Sequence, residues 1–249
     1  QGKSQVLDDF RGATVGGISK GFVDKVKIPL PPLATQKKIA EILDAADAHR
    51  QKTKQLLAKY DELAQSIFLE MFGDTYTNTK GWSEQTLENL CTHIIDCPHT
   101  TPNYVENETE YPCIRTTELK NGRIDWSKMK YLDSEGYQLR TKRLVPEAND
   151  IIYGREGTFG EAALVPEGKK MSLGQRVMLF RANDENILPG FLLDVVRSSG
   201  VYRQALRKNS GSTVGHVNVK DIKKFRIITP PKEQQIRYLE YKKLIETQV

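Results

Sequence analysis

Apolar residues recur at helical spacing along one long stretch of the chain, from about residue 35 to residue 72. With Ile39 at heptad position a, the a and d positions read Ile39, Ile42, Ala46, His49, Thr53, Leu56, Tyr60, Leu63, Ile67 and Glu70, of which seven are apolar or aromatic. Leu43, Leu57, Phe68 and Met71 widen the stripe. No Gly or Pro interrupts it, Pro31-Pro32 stands before it and Gly73 follows, which are the start and stop signals of a helix. At 1.5 Å per residue the helix is roughly 57 Å long, well beyond the usual helix of a compact domain. Lys37, Lys38, Glu41, Asp44, Asp47 and Arg50, with further charges after them, keep most of its circumference wet. The stripe therefore needs a partner helix rather than a place inside a core.

After Gly73 the spacing changes to short β-like runs separated by turn residues. Strands are predicted near residues 90–95, 111–116, 150–154, 161–165, 176–181 and 225–229. Helices are predicted near residues 134–142 and 188–208, the second weakened by Gly190 and Gly200, and again from residue 233 to 249. Mixed elements in this proportion make one α+β globular domain flanked by helices.

An internal repeat links the two helix starts. Residues 11–32 read RGATVGGISKGFVDKVKIPLPP and residues 210–231 read SGSTVGHVNVKDIKKFRIITPP. At an offset of 199, Gly12, Thr14, Val15, Gly16, Lys25, Pro31 and Pro32 match Gly211, Thr213, Val214, Gly215, Lys224, Pro230 and Pro231. Ile18, Val23, Val26 and Ile28 correspond to Val217, Ile222, Phe225 and Ile227, and each copy runs into a Gln-containing helix start. The expectation is a period of domain, helix, domain, helix. Residues 1–31 are then the tail of a preceding domain, and the helix after residue 232 is the start of a longer one.

Composition adds little until the charge is divided. The 249 residues carry a formal charge of +5, and 38% are apolar. Residues 200–249 hold eleven Lys and Arg against four acids, a balance of +7, whereas the other 199 residues carry 26 basic and 28 acidic side chains. A basic end on a near-neutral body suits a polyanion such as DNA. No run of 18 apolar residues or signal-peptide pattern occurs, and three cysteines are no disulfide framework. The reading is a soluble protein of a reducing cytoplasm without membrane contact.

The layout PPLATQKKIAEIL after GATVGGIS, and PPKEQQI after GSTVGHVN, resembles the DNA-specificity subunit of type I restriction-modification systems. The runs CPHTTPNY, YPCIRTTELKNGRID, LVPEANDIIYGREGTFGEAAL and GSTVGHVNVKDIKKFRI extend the resemblance over the whole chain. It implies two target recognition domains held apart by an antiparallel coiled-coil spacer of long helices, each domain reading half of a split site in double-stranded DNA. It maps residues 1–31 to the tail of one recognition domain and 32–73 to a spacer helix. Residues 74–231 become a second recognition domain, and 232–249 the start of a second spacer helix. Modification (methyltransferase) and restriction subunits are the implied protein partners. S-adenosylmethionine, ATP and Mg would act there, leaving this chain non-catalytic and without a cofactor. Exposed helical stripes also allow a homodimer through the helices.

Candidate contacts lie in loops. His99, Thr100 and Thr101 form the polar tip of a loop that the resemblance places toward the major groove. Arg155 and Thr158 stand in Gly154-Arg155-Glu156-Gly157-Thr158-Phe159-Gly160, where glycines let backbone approach DNA and Arg suits guanine or phosphate. Arg115, Thr116 and Lys120 end and follow a strand, and Ser212, Thr213 and His216 lie in the basic terminal loop, suited to phosphate. No catalytic residues emerge: P-loop, nucleophile-elbow, His-Glu-x-x-His and Asn/Asp-Pro-Pro-Tyr/Phe patterns are all missing. Two alternatives remain open. One is a coiled-coil scaffold whose globular domain binds protein. The other is a small zinc protein built on Cys91, His93, Cys97 and His99, weakened by the lack of a second ligand pair, so no metal is assigned.

Overall fold

The computed structural model describes residues 27–157, 160–208 and 216–248. The chain divides into two compact units, Gln1–Ala58 and Lys59–Val249. The long helix α1, Leu33–Phe72, begins in the first and ends in the second. The division falls inside the helix, whose last turns, with Ile67, Phe68, Met71 and Phe72, pack into the core of the second unit.

In the first unit, α1 starts on its proline pair: the Thr35 and Gln36 amides donate to Pro32 O at 2.8 and 3.0 Å, and Gln36 Nε2 donates to Pro31 O at 2.7 Å. These contacts answer backbone groups that a helix start leaves open. Ile39, Ile42, Leu43 and Leu56 of the predicted stripe are exposed.

The second unit carries β1 (Glu84–Thr86), α2 (Leu87–Leu90), β2 (Cys91–Asp96), β3 (Pro112–Ile114), β4 (Leu119–Lys120), β5 (Arg123–Ile124) and β6 (Lys130–Tyr131). It continues through α3 (Ser134–Thr141), β7 (Ile151–Gly154), β8 (Ala162–Leu164), β9 (Ser172–Leu173) and β10 (Val177–Ala182). Last come α4 (Pro189–Arg197), α5 (Ser199–Lys208), α6 (Val219–Lys223), β11 (Arg226–Ile228) and α7 (Lys232–Glu246). The predicted helix over 188–208 is two helices broken at Ser198.

An antiparallel sheet of order β2-β10-β7-β8 forms the centre. Ile151, Tyr153, Met178 and Phe180 feed one buried cluster with Phe72, Phe191 and Val201. Ile152, Val177 and Leu179 feed a second with Ile114, Leu119 and Met171. Side chains alternate faces along a strand, so a sheet buried on both sides needs unbroken apolar runs, which is why IIY and VMLF do not alternate with polar residues. Helices cover the first face. On the second lies a small sheet in which β3 pairs antiparallel with β6 and parallel with β9. Strand β11 closes the unit by pairing with β1, and there Val217, Ile222, Phe225 and Ile227, the apolar positions of the repeat, are all buried.

The end of α1 enters an aromatic cluster. The Phe72 ring lies 4.8 Å from Phe191, 5.5 Å from Tyr238 and 6.2 Å from Trp82, and Phe68 lies 5.4 Å from Tyr238. Helix α7 starts as α1 does: Gln235 Nε2 donates to Pro230 O at 2.9 Å, and its Oε1 accepts from the Leu188 amide at 2.9 Å. Among the described residues, no helix is long and apolar enough to cross a membrane. Phe72→Ala should cost about 3–5 kcal/mol in urea unfolding, whereas Leu69→Ala, three residues earlier but exposed, should change stability by no more than about 0.5 kcal/mol.

Candidate nucleic acid interface

The register of the central sheet brings three loops to one edge. Met178 pairs with Asp96 and Val177 with Gly154, so the end of β2, the end of β7 and the start of β10 lie side by side. Backbone bonds extend the grouping: Cys97 N donates to Val177 O at 3.2 Å, Arg155 N to Arg176 O at 3.0 Å and Val217 N to Arg155 O at 3.2 Å. Glu156 and His216 form an isolated antiparallel bridge.

An ionic network underlies these loops. Arg155, only 4% exposed, donates through Nε to Asp96 Oδ1 at 2.9 Å, and its Nη1 lies 2.9 Å from Glu156 Oε1. Glu156 Oε1 is also 3.1 Å from His216 Nδ1, and its Oε2 is 3.7 Å from Arg176 Nε. Asp96 Oδ2 sits 3.4 Å from His99 Nε2. A buried guanidinium is tolerable only when its charge and donors are answered, and here the answers come from β2 and from the turn after β7. The expected presentation of Arg155 to solvent is therefore corrected: the side chain ties the loops together from beneath.

Several other candidates sit at or near this edge. His99, Thr100 and Thr101 are exposed, His216 is half-buried, and Thr158, Ser212 and Thr213 lie outside the described residues. Arg115 is half-buried, with its backbone N and Nε donating to Glu118 Oε2 at 2.7 and 3.1 Å; the side-chain bonding to Glu118 holds its guanidinium pKa above the usual value. Gly174 lies against it: a Cβ there would stand 2.6 Å from Arg115 Cγ. Thr116 is buried in the 3-10 turn that follows β3, so its side chain is not presented, because that turn packs Thr116 and Glu118 inward. Lys120 belongs to a different neighbourhood. It pairs with Asp125 at 3.0 Å on the β4–β5 hairpin, and Ser127 and Lys120 together pull the Asp125 carboxyl down to about 2.

The cysteine and histidine run does not gather. Cys91 packs against the first core cluster and burial pushes its thiol up to about 12, whereas Cys97 is buried in the second, its thiol also raised by burial. Among the described residues no three His, Cys, Asp or Glu side chains converge as a metal site.

Sequence spacing missed Asp96, Glu156, Gln175 and Arg176. Arg176 is exposed, with φ at 66°, a left-handed conformation uncommon outside glycine. Gln175 Nε2 donates to Thr101 Oγ1 at 3.1 Å. A lone residue before a strand carries no motif. The available signal was Gly174, which lets the chain turn where it touches Ile114, its amide donating to Ile114 O at 2.6 Å.

A family model for the type I restriction modification DNA specificity domain matches residues 3–59 and 79–241. The chain is 25% identical over 243 residues to the specificity subunit of the type I restriction enzyme EcoKI of Escherichia coli strain K12, covering 90% of this chain and 51% of that subunit. It is also 25% identical over 263 residues to the Escherichia coli EcoBI specificity subunit, covering 93% and 54%. The chain spans about half the length of these curated relatives. Its fold is similar to that of the type I restriction-modification S subunit from M. genitalium, with a TM-score of 0.61, 12% identity, and coverage of 99% of this chain and 63% of the other. The HsdS subunit of Thermoanaerobacter tengcongensis is similar too, at a TM-score of 0.50 and 18% identity over 98% and 60% of the two chains.

Arg155→Leu should destabilise the second unit by about 3–5 kcal/mol, since it strands Asp96 and Glu156. Urea unfolding monitored by tryptophan fluorescence reads this directly, and a loss below about 1 kcal/mol would contradict the network.

Proposed function

The chain belongs to the family of type I restriction modification DNA specificity domains, and from that premise we propose that it reads one half of a bipartite duplex target through the loop edge of its central sheet. The observation carrying this reading is the convergence of three loops on one ionic network that fixes their bases while His99, Thr100, Thr101 and Arg176 stay exposed. His99, Thr100 and Thr101 offer donors and acceptors for base edges, and Arg176 is a planar donor suited to guanine or phosphate. His216 belongs to the same interface on its phosphate side, and Arg115 supports it from within; Thr158, Ser212 and Thr213, outside the described residues, are candidate contacts by sequence alone. Lys120 is a flanking phosphate contact. Arg155 and Thr116 serve from beneath.

The second reader comes from pairing of exposed helical stripes. Ile39, Ile42, Leu43 and Leu56 are apolar and solvent-facing in the first unit. A second copy that covered this stripe would form a coiled-coil spacer and place two reading surfaces on one duplex. Spacer length then enters specificity, because one heptad is about 10 Å of helix, around three base pairs. The chain is a non-catalytic subunit. Methyl transfer, strand cleavage and the S-adenosylmethionine, ATP and Mg they use belong to docked modification and restriction subunits in the cytoplasm.

Selection of the full chain against a randomised duplex library should enrich one short half-site, with log K falling linearly with log salt at about 0.9 per neutralised phosphate. A library that returns no enriched sequence would contradict the reading. Arg176→Ala should weaken binding, and if the contact is to phosphate the salt slope drops by about 1. Sedimentation equilibrium should show a dimer, reverting to monomer in an Ile39→Lys, Ile42→Lys chain; a wild-type chain that stays monomeric at high concentration would exclude pairing through the stripe.

A further inference from the structure

Arg140 is a second arginine removed from water near the loop edge, at 8% exposure, and its surroundings differ from those of Arg155. Among the described residues no carboxylate pairs with it. Its guanidinium instead donates to four main-chain carbonyls: Nε to Leu173 O at 2.6 Å, Nη2 to Gly174 O at 2.9 Å, Nη1 to Thr100 O at 2.9 Å and Nη2 to Pro98 O at 3.1 Å. Two of these oxygens belong to the end of β9 and two to the loop that carries His99 and Thr101. Desolvating a guanidinium is costly, and four carbonyl dipoles answer it only if both segments stay where they are.

The two segments are not equally fixed by other means. On the β9 side, Leu173 pairs with Ile114 of β3, and a Cβ on Gly174 would come within 2.6 Å of Ile114 O, so this backbone is locked against the small sheet. On the loop side, His99, Thr100 and Thr101 are exposed. The brace is doubled from the same anchor, since the next residue, Gln175, donates to Thr101 Oγ1 at 3.1 Å. Lysine could not substitute for the arginine: one ammonium has three donors around a point, whereas the planar fork spans both segments.

We propose that Arg140, together with Gln175, is a positioning brace for target discrimination: it holds the 98–101 loop against the end of β9 so that His99, Thr100 and Thr101 meet the duplex in one conformation. The proposal rests on the reading of the loop edge as the DNA-reading surface. Holding a loop in one shape sharpens the difference between right and wrong bases, because a loop free to rearrange can satisfy several sequences. It adds nothing to the attraction of phosphates for the chain. Loss of the brace should therefore relax sequence preference while leaving charge-driven, sequence-independent binding as it was.

The test compares wild type, Arg140→Lys and Gln175→Ala as full chains, with thermal unfolding monitored to establish that each is folded. Library selection should show discrimination in the two variants falling roughly tenfold at the same base positions, with the salt slope unchanged and faster amide exchange in residues 98–101. A merely structural role would lower stability and move neither the base preference nor the loop exchange selectively. A folded Arg140→Lys chain that keeps full discrimination overturns the proposal. Should that variant not fold, a Gln175→Ala chain that keeps full discrimination does so instead. If wild type itself selects no half-site, the reading beneath the proposal fails and takes the brace with it, an outcome distinct from variants that discriminate as well as a discriminating wild type.

Discussion

A guanidinium taken out of water must have its donors met, and that requirement governs the loop edge of this chain. Arg155 is met by carboxylates and Arg140 by carbonyls, and in both cases the partners come from separate stretches of sequence. Asp96 and Glu156 sit 60 positions apart, and Pro98 and Leu173 are more distant still. Neither arginine can be satisfied by its own segment, so each converts a desolvation cost into a fixed distance between loops. A polar surface that reads another molecule needs this kind of support, because exposed side chains carry little packing of their own.

The central sheet makes the arrangement affordable. β7 and β10 are buried on both faces and stay in register through apolar contacts on two sides, and β2, with Thr92 and His93 exposed, is held by its pairing with β10. The same burial explains why the strands were legible. Runs such as IIY and VMLF, bounded by turn residues, mark β7 and β10 to within one residue of the expected ranges, whereas the expected strand over 111–116 ends at Ile114 because residues 116–118 fold into a 3-10 turn. The long helix was legible for a different reason: its stripe extends over more turns than any compact helix requires, and its proline pair and glycine mark both limits.

What could not be read was whatever depends on distant partners. The NG pair at 121–122 turns the β4–β5 hairpin with φ of 49° and 80°, but strands of two residues leave almost no periodic trace. Gly190 and Gly200 looked like weak points in a helix. They are close-approach positions, where a Cβ would meet Leu239 at 2.9 Å and the Tyr76 backbone at 2.6 Å. Arg155 stands in a glycine-rich turn that the sequence marks, but only the placement of Asp96 across the sheet reveals that its charge is paired internally. Arg176 had no pattern around it at all.

The repeat separates the devices that set the helix starts from those that hold the loop edge. Gln36 to Pro31 and Gln235 to Pro230 are the same hydrogen bond, 2.7 and 2.9 Å, at the same offset as the matched glycines and prolines. Each sets a helix on its proline pair, and in the second copy Gln235 also takes the Leu188 amide, joining the helix start to α4. The equivalents of Val217, Ile222, Phe225 and Ile227 are apolar in the first copy, although those before residue 27 lie outside the described residues. No such correspondence spans the loops held by Arg140 and Arg155, which lie between the two copies of the repeated run. Helix starts recur because the same Gln–Pro hydrogen bond sets each helix on its proline pair. Arg140, Arg155 and their partners lie outside the repeated helix starts, so the residues above these loops can vary without touching the bonds that set either helix.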